Sequence, residues 1–277
     1  YPIPSYVEYY RLYPRLISAP EGEIRAFMEK YAGTAIADRL RNDWLLLLGH
    51  AHLWRTFDEQ YPLFTLNDDT QVKCYALLSR VNKRENVAKQ ARELLLQPNQ
   101  YGAACAELIV NLYKEKYFNA DDVWHQIRLA AEYGQISLAR RLAGVTDATE
   151  KQLAMAIDKP GPVLDRGIVA PRASHELFII ALGRVARHDS AKSVKALNKV
   201  LTKLSEQEQS LAWAQIALQA SLQLSRDAAS YWRRTWGVQL SQDAYQWRAR
   251  AALRAGDWSM VSKAISSMPP ELQKEST

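Results

Sequence analysis

Apolar residues recur at helical spacing almost everywhere in this chain, in short runs closed by glycine, proline or polar pairs. Across residues 34–48, Ile36, Leu40, Trp44 and Leu47 follow at steps of four, four and three, with Thr34 placed to cap the start and Gly49 to stop the end. Asn119 precedes Val123, Ile127, Ala130 and Ala131 before Gly134, and Ile136, Leu138 and Leu142 lead to Gly144. Ser174 opens a run through Leu177, Phe178, Ala181, Leu182 and Val185, and Ser190 one through Val194, Leu197, Val200, Leu201 and Leu204. Ser205 and Glu208 have capping-box spacing ahead of Leu211, Trp213, Ile216, Ala217 and Leu224. No alternating run bounded by turn signals reads as a strand, so the pattern predicts an all-α protein.

The helices are short and the breaks between them brief, which favours antiparallel hairpins. Four stretches share one pattern, an apolar helix, a turn and a second helix ending near Gly or Pro: residues 44–62, 75–98, 127–144 and 251–269. Gly49 and the equivalent turn at Lys83 are 34 residues apart, the period of tetratricopeptide hairpins, although later intervals are irregular. The expected architecture is an irregular superhelix, a solenoid or ring of tetratricopeptide-like hairpins, running as one domain over residues 1–277. Residues 158–171 hold three prolines and two glycines, which forbid a continuous helix there and mark a candidate hinge.

Composition and charge exclude several classes. With 48% hydrophobic and 24% charged residues and only 2 Cys, the chain is neither disordered, collagen-like nor a cysteine framework. No run approaches the ~20 apolar residues that would span a bilayer. With no initiator Met and no basic-then-apolar leader before Tyr1, the chain reads as a processed or trimmed product. The net charge of +6 is uneven: residues 1–150 hold 18 basic and 19 acidic side chains, whereas 151–277 hold 18 and 11. A basic half attracts polyanions without choosing among them.

Few constellations suggest chemistry. His50, His52, His125, His175 and His188 lack metal-site spacing and read as structural or surface residues. No glycine-rich phosphate loop occurs, and Asp68-Asp69 and Asp121-Asp122 read as helix-start charges. Neither a cofactor nor a metal is implied. Cys74 and Cys105 lie 31 positions apart: in a reducing compartment they would be free thiols, and in an oxidising one they could bridge neighbouring hairpins. The candidate binding residues are Arg233, Arg234, Trp236, Trp247, Arg248 and Arg250, in a stretch that also holds Trp213, Trp232, Trp258, Tyr231, Tyr245 and Arg254. Indole faces can stack on sugars and guanidinium groups can hold carboxylates or phosphates. The competing reading makes Trp232, Trp236 and Trp247 hairpin packing beside a solvated arginine face.

Several segments together resemble the helical part of soluble lytic murein transglycosylases. They are Tyr1-Pro-Ile-Pro-Ser-Tyr-Val-Glu-Tyr-Tyr-Arg-Leu12, then Arg39-Leu-Arg-Asn-Asp-Trp-Leu-Leu-Leu-Leu-Gly49 with Trp54, then Cys74-Tyr-Ala and Ala91-Arg-Glu-Leu-Leu-Leu96, and finally Pro98 to Cys105 and Gln126-Ile-Arg-Leu-Ala-Ala-Glu-Tyr-Gly-Gln135 with Leu142-Ala-Gly144. The match is strongest over residues 1–144. The resemblance implies the superhelical module that precedes a lysozyme-like catalytic domain in a periplasmic enzyme, free or anchored to the outer membrane as a lipoprotein. It implies cleavage of peptidoglycan between N-acetylmuramic acid and N-acetylglucosamine to give 1,6-anhydromuramoyl ends. One Glu serves as acid and then base there, because the sugar's own hydroxyl attacks.

It further implies a Cys74–Cys105 bridge, and partners among peptidoglycan glycan strands, the C-terminal catalytic domain and other cell-wall enzymes; nucleic acid is set aside. The family's catalytic Glu-Ser is followed by Gly-Leu-Met-Gln and Ala-Tyr-Asn-type motifs. The one Glu-Ser here, Glu275-Ser276, has no such continuation, so no catalytic residue is assigned within this segment, which is expected to be inactive alone. A stand-alone tetratricopeptide-like scaffold that binds a protein partner is the alternative.

Overall fold

The computed structural model describes residues 3–274. Tyr1 and Pro2 of the opening motif, and the Glu275-Ser276 pair, therefore lie outside the described residues. The chain is 73% helical, with no strand among the described residues, as the periodicity predicts. It forms two compact units, Tyr1–Asn119 and Ala120–Thr277, whose boundary falls at neither the charge change nor residues 158–171.

The first unit holds α1 (Pro4–Leu12), α2 (Glu21–Lys30), α3 (Ala35–His50), α4 (Trp54–Gln60), α5 (Thr70–Asn82), α6 (Ala88–Leu94) and α7 (Gly102–Lys114). Its core is built on Tyr9, Ile24, Leu40, Leu45, Phe57, Leu78, Leu95 and Tyr101. Gly49 lets α3 approach α5, since a Cβ there would lie 2.3 Å from the Tyr75 ring. The buried Asp38 carboxylate accepts the backbone N–H groups of Thr65 (3.0 Å) and Leu66 (2.8 Å), pinning the loop ahead of α5. Cys74 on α5 is disulfide-bonded to Cys105 on α7, the pairing implied by the family resemblance.

The second unit holds α8 (Ala120–Glu132), α9 (Ile136–Ala143), α10 (Glu150–Asp158), α11 (Pro160–Arg166), α12 (Arg172–Ala186), α13 (Ser190–Val200), α14 (Glu206–Leu222), α15 (Ala228–Trp232), α16 (Gln242–Arg254), α17 (Trp258–Ser266) and α18 (Pro270–Gln273). The breaks expected within 158–171 fall at Lys159 and Gly167, with α11 between them. Pro160 and Pro162 occupy the first turn of α11, where no intrahelical N–H bond is required. Leu164 and Ile168 are buried and α11 packs on α12, so this stretch is part of the packed unit. A buried ion pair joins α8 to α12: Arg128 donates to Glu176, which also accepts from Arg172 at 3.1 Å.

The hairpin turns share one geometry. After α3, α5, α7, α8, α14 and α16 a single residue adopts positive φ: His52 (56°), Arg84 (66°), Lys116 (61°), Gly134 (73°), Leu224 (57°) and Gly256 (68°). The N–H of the following residue then reaches back to a carbonyl five positions earlier, as in Leu53 to Leu48 (2.9 Å), Glu85 to Arg80 (3.1 Å), Tyr117 to Leu112 (2.9 Å) and Ser225 to Ala220 (2.8 Å). This is the Schellman closure, which satisfies carbonyls left open at a helix end. His52, Arg84 and Lys116 fall 32 residues apart, as do Leu224 and Gly256. The regular marker is thus the left-handed residue, and it gives a shorter period than the 34 read from Gly49.

Candidate functional site

The aromatic and basic stretch folds onto the core made by α14, α15, α16 and α17. Ser205 and Glu208 form the expected capping box at the start of α14. Trp213 and Trp232 are both buried, Trp232 in that core, where its Nε1 donates to Ser221 Oγ at 2.8 Å. For Trp232 the packing reading is correct. Trp236 and Trp247 are half-buried against the same core, while Trp258 is 71% exposed at the start of α17.

The arginines divide in the same way. Arg248 is buried: its Nη1 donates to the Thr235 carbonyl at 3.0 Å and its Nη2 to Ser267 Oγ at 2.5 Å. Its guanidinium lies 4.5 Å from the Trp236 ring centroid and 5.3 Å from that of Tyr245, with Nε unpartnered. Desolvation lowers its pKa. Arg248 therefore braces the turn between α15 and α16 from inside, and it cannot present a charge to a ligand; the expectation that it lies on a binding surface is corrected. Arg233 is held by Asp257 through two bonds, Nε at 3.2 Å and Nη2 at 2.8 Å, and its charge is offset.

Three cations of this region that have no carboxylate partner among the described residues each lie over an indole. Arg234 sits 4.3 Å from the Trp213 centroid, Arg250 5.3 Å from Trp247, and Lys263 3.9 Å from Trp236. An indole face attracts a cation by roughly 0.5–1 kcal/mol at an exposed site while leaving the charge's outer side free. Lys263 escaped the sequence reading because it stands apart from the arginine cluster. Its place one turn along α17 becomes visible only once Trp236 is folded beside it.

The histidines fill ordinary roles. His52 pairs with Glu107 and His175 with Glu208, each at 2.9 Å. Burial, followed by the nearby Arg128, lowers the His125 pKa to about 3, so that ring is neutral. No group of three or more metal-ligating side chains occurs among the described residues. Nor is any helix there long and apolar enough to cross a membrane.

One carboxyl escaped the sequence reading entirely. Glu132, at the end of α8, accepts a short hydrogen bond from Ser241 Oγ and one from Gln215 Nε2 at 3.3 Å, which ties α8 to α14 and to the start of α16. Burial raises its pKa to about 7, against the opposing pull of those two hydrogen bonds. With its oxygens engaged by Ser241 and Gln215, it works as a joint between helices.

No family model and no curated protein matches the chain. Solved structures do. An inactive mutant of the lytic transglycosylase Slt from Pseudomonas aeruginosa superposes over 99% of this chain with a TM-score of 0.62 at 23% identity. The 70-kDa soluble lytic transglycosylase of Escherichia coli gives 0.54 at 21% identity, and a complex of the 70-kDa soluble lytic transglycosylase with bulgecin A gives 0.54 at 22%, each over 99% of the chain. The chain shares the fold of soluble lytic transglycosylases. It spans 46% of the length of those solved chains. Within this lytic transglycosylase fold the aromatic and basic surface is carried by α15, α16, α17 and the turns joining them.

Proposed function

We propose that this chain is the helical module of a lytic murein transglycosylase, acting in the periplasm and positioning peptidoglycan glycan strands or partner proteins for a lysozyme-like catalytic domain. The observation that carries the reading is the fold shared with solved lytic transglycosylases over 99% of the chain. The order of family-like segments from Tyr1 to Gly144 supports it, and so does the bridged Cys74–Cys105 pair, which suits an oxidising compartment. In the proposed whole protein the bond between N-acetylmuramic acid and N-acetylglucosamine is cleaved by the other domain, to 1,6-anhydromuramoyl products. Arg234, Arg250 and Lys263 supply positive charge for the peptide carboxylates of the wall, and Trp247 and the exposed Trp258 supply faces for sugars.

The test is a pull-down with purified sacculi. Reversing Arg234, Arg250 and Lys263 to Glu together changes the local charge by six and is expected to lower bound protein about tenfold at low salt. Unchanged binding by the folded triple variant would sink the surface assignment. Trp258→Ala separates sugar stacking from charge, because its effect persists at high salt.

A further inference from the structure

A cavity of about 280 Å³ opens in the second unit between the end of α8, the end of α14 and the start of α16. Its lining carries one charge of each sign. Arg187, just past α12, donates from Nη2 to the Glu132 carbonyl at 2.8 Å and has no carboxylate within ion-pair distance among the described residues. Asp243, in the first turn of α16, lies beside the Tyr133 hydroxyl and likewise has no cationic partner there. The two do not pair with each other. Gln219 lines the same cavity, and its side-chain amide, which has no protein hydrogen-bond partner, is open to solvent there. Leu222, 50% exposed, gives the rim an apolar wall.

A simple anion entering this cavity would meet Asp243, and a simple cation would meet Arg187. A ligand carrying both charges on one carbon satisfies both walls at once. The volume corresponds to about nine waters at ~30 Å³ each, enough for one amino acid and its side chain. We propose that this cavity binds the zwitterion of an α-amino acid, its carboxylate on Arg187, its ammonium on Asp243, its polar edge on the Gln219 amide and its side chain along Leu222. Glu132, whose carboxyl is mostly protonated below pH 7, leaves that charge pattern intact. The same head group exists on a free amino acid and on the diaminopimelate of a wall stem peptide. Neither source depends on the glycan surface of Arg234, Arg250 and Lys263.

Isothermal titration calorimetry on the whole chain at pH 6.5 tests this with L-leucine, N-acetyl-L-leucine and L-leucinamide. Saturable binding of L-leucine is expected, weakened at least about tenfold by either blocking group, since each removes one charge-assisted contact. Asp243→Asn and Arg187→Gln should each weaken it by a similar factor. Asp243 is exposed, so D243N keeps the test open if R187Q fails to fold. Equal binding of all three compounds, or no heat of binding from L-leucine to folded protein at millimolar concentration, would overturn the proposal. Displacement of L-leucine by a diaminopimelate muropeptide identifies the wall as the source, and its failure identifies the free amino acid. Failure of the sacculus pull-down would leave this result untouched, and the reverse also holds.

Discussion

Glu132 should make the second unit less stable as pH rises through neutrality. Its carboxyl has a pKa of about 7 in the folded protein, against an ordinary value of 4.5. A carboxyl that binds protons more readily when folded stabilises the protein fully below its unfolded pKa, and this stability is lost as pH rises through the folded one. The window is therefore about pH 4.5 to about 7, and at about 1.4 kcal/mol per pH unit the loss across it is about 3 kcal/mol. Glu132→Gln removes the titration while keeping an oxygen to accept from Ser241. The assay is urea denaturation of wild type and E132Q from pH 5 to pH 8, followed by tryptophan fluorescence. Most of that signal belongs to the second unit, because only Trp44 and Trp54 lie in the first. Taking the difference between the two proteins at each pH cancels the other carboxylates. E132Q should gain on wild type steadily above pH 5, by about 2–3 kcal/mol at pH 8. Parallel pH profiles would refute the idea that burial holds this proton.

Two further outcomes follow from the backbone. Cys74→Ser with Cys105→Ser should destabilise the first unit by about 3.5 kcal/mol on the chain-entropy estimate for a 31-residue separation, and denaturation of oxidised protein and double variant measures it; two free sulfhydryls in protein isolated without reductant would contradict the bridge. Leu224→Gly should raise stability by about 0.5–1 kcal/mol, since the left-handed conformation costs a non-glycine residue roughly 1–2 kcal/mol and glycine's extra chain entropy returns part of it. A lower melting temperature for L224G would show instead that its half-exposed side chain makes a contact of greater value.

Helix type and position were readable because they depend on apolar spacing within a few residues. The turns were only partly so. Glycine marks the left-handed position at Gly134 and Gly256, but His52, Arg84, Lys116 and Leu224 hold it elsewhere, with no local signature. Residues 158–171 were correctly seen to interrupt a helix, yet prolines in the first turn of α11 are compatible with a short one. The candidate surface was readable as composition and not as geometry. Arg248 looks like its neighbours in sequence, and only the approach of Thr235 and Ser267 from other segments shows that it is buried. Glu132 is invisible for a related reason, since Gln215 and Ser241 are 83 and 109 residues away.

In the first unit the left-handed turns also bind one another. Arg84 pairs with Glu115 and its carbonyl accepts from the Tyr117 hydroxyl at 3.1 Å, so one turn is fastened to the next at the 32-residue step. A single inserted residue inside α6 or α7 would rotate everything beyond it by about 100° and pull those partners apart. Length in this part of the chain is in that sense quantised: it can change at little cost by a whole hairpin, and only at high cost by anything less.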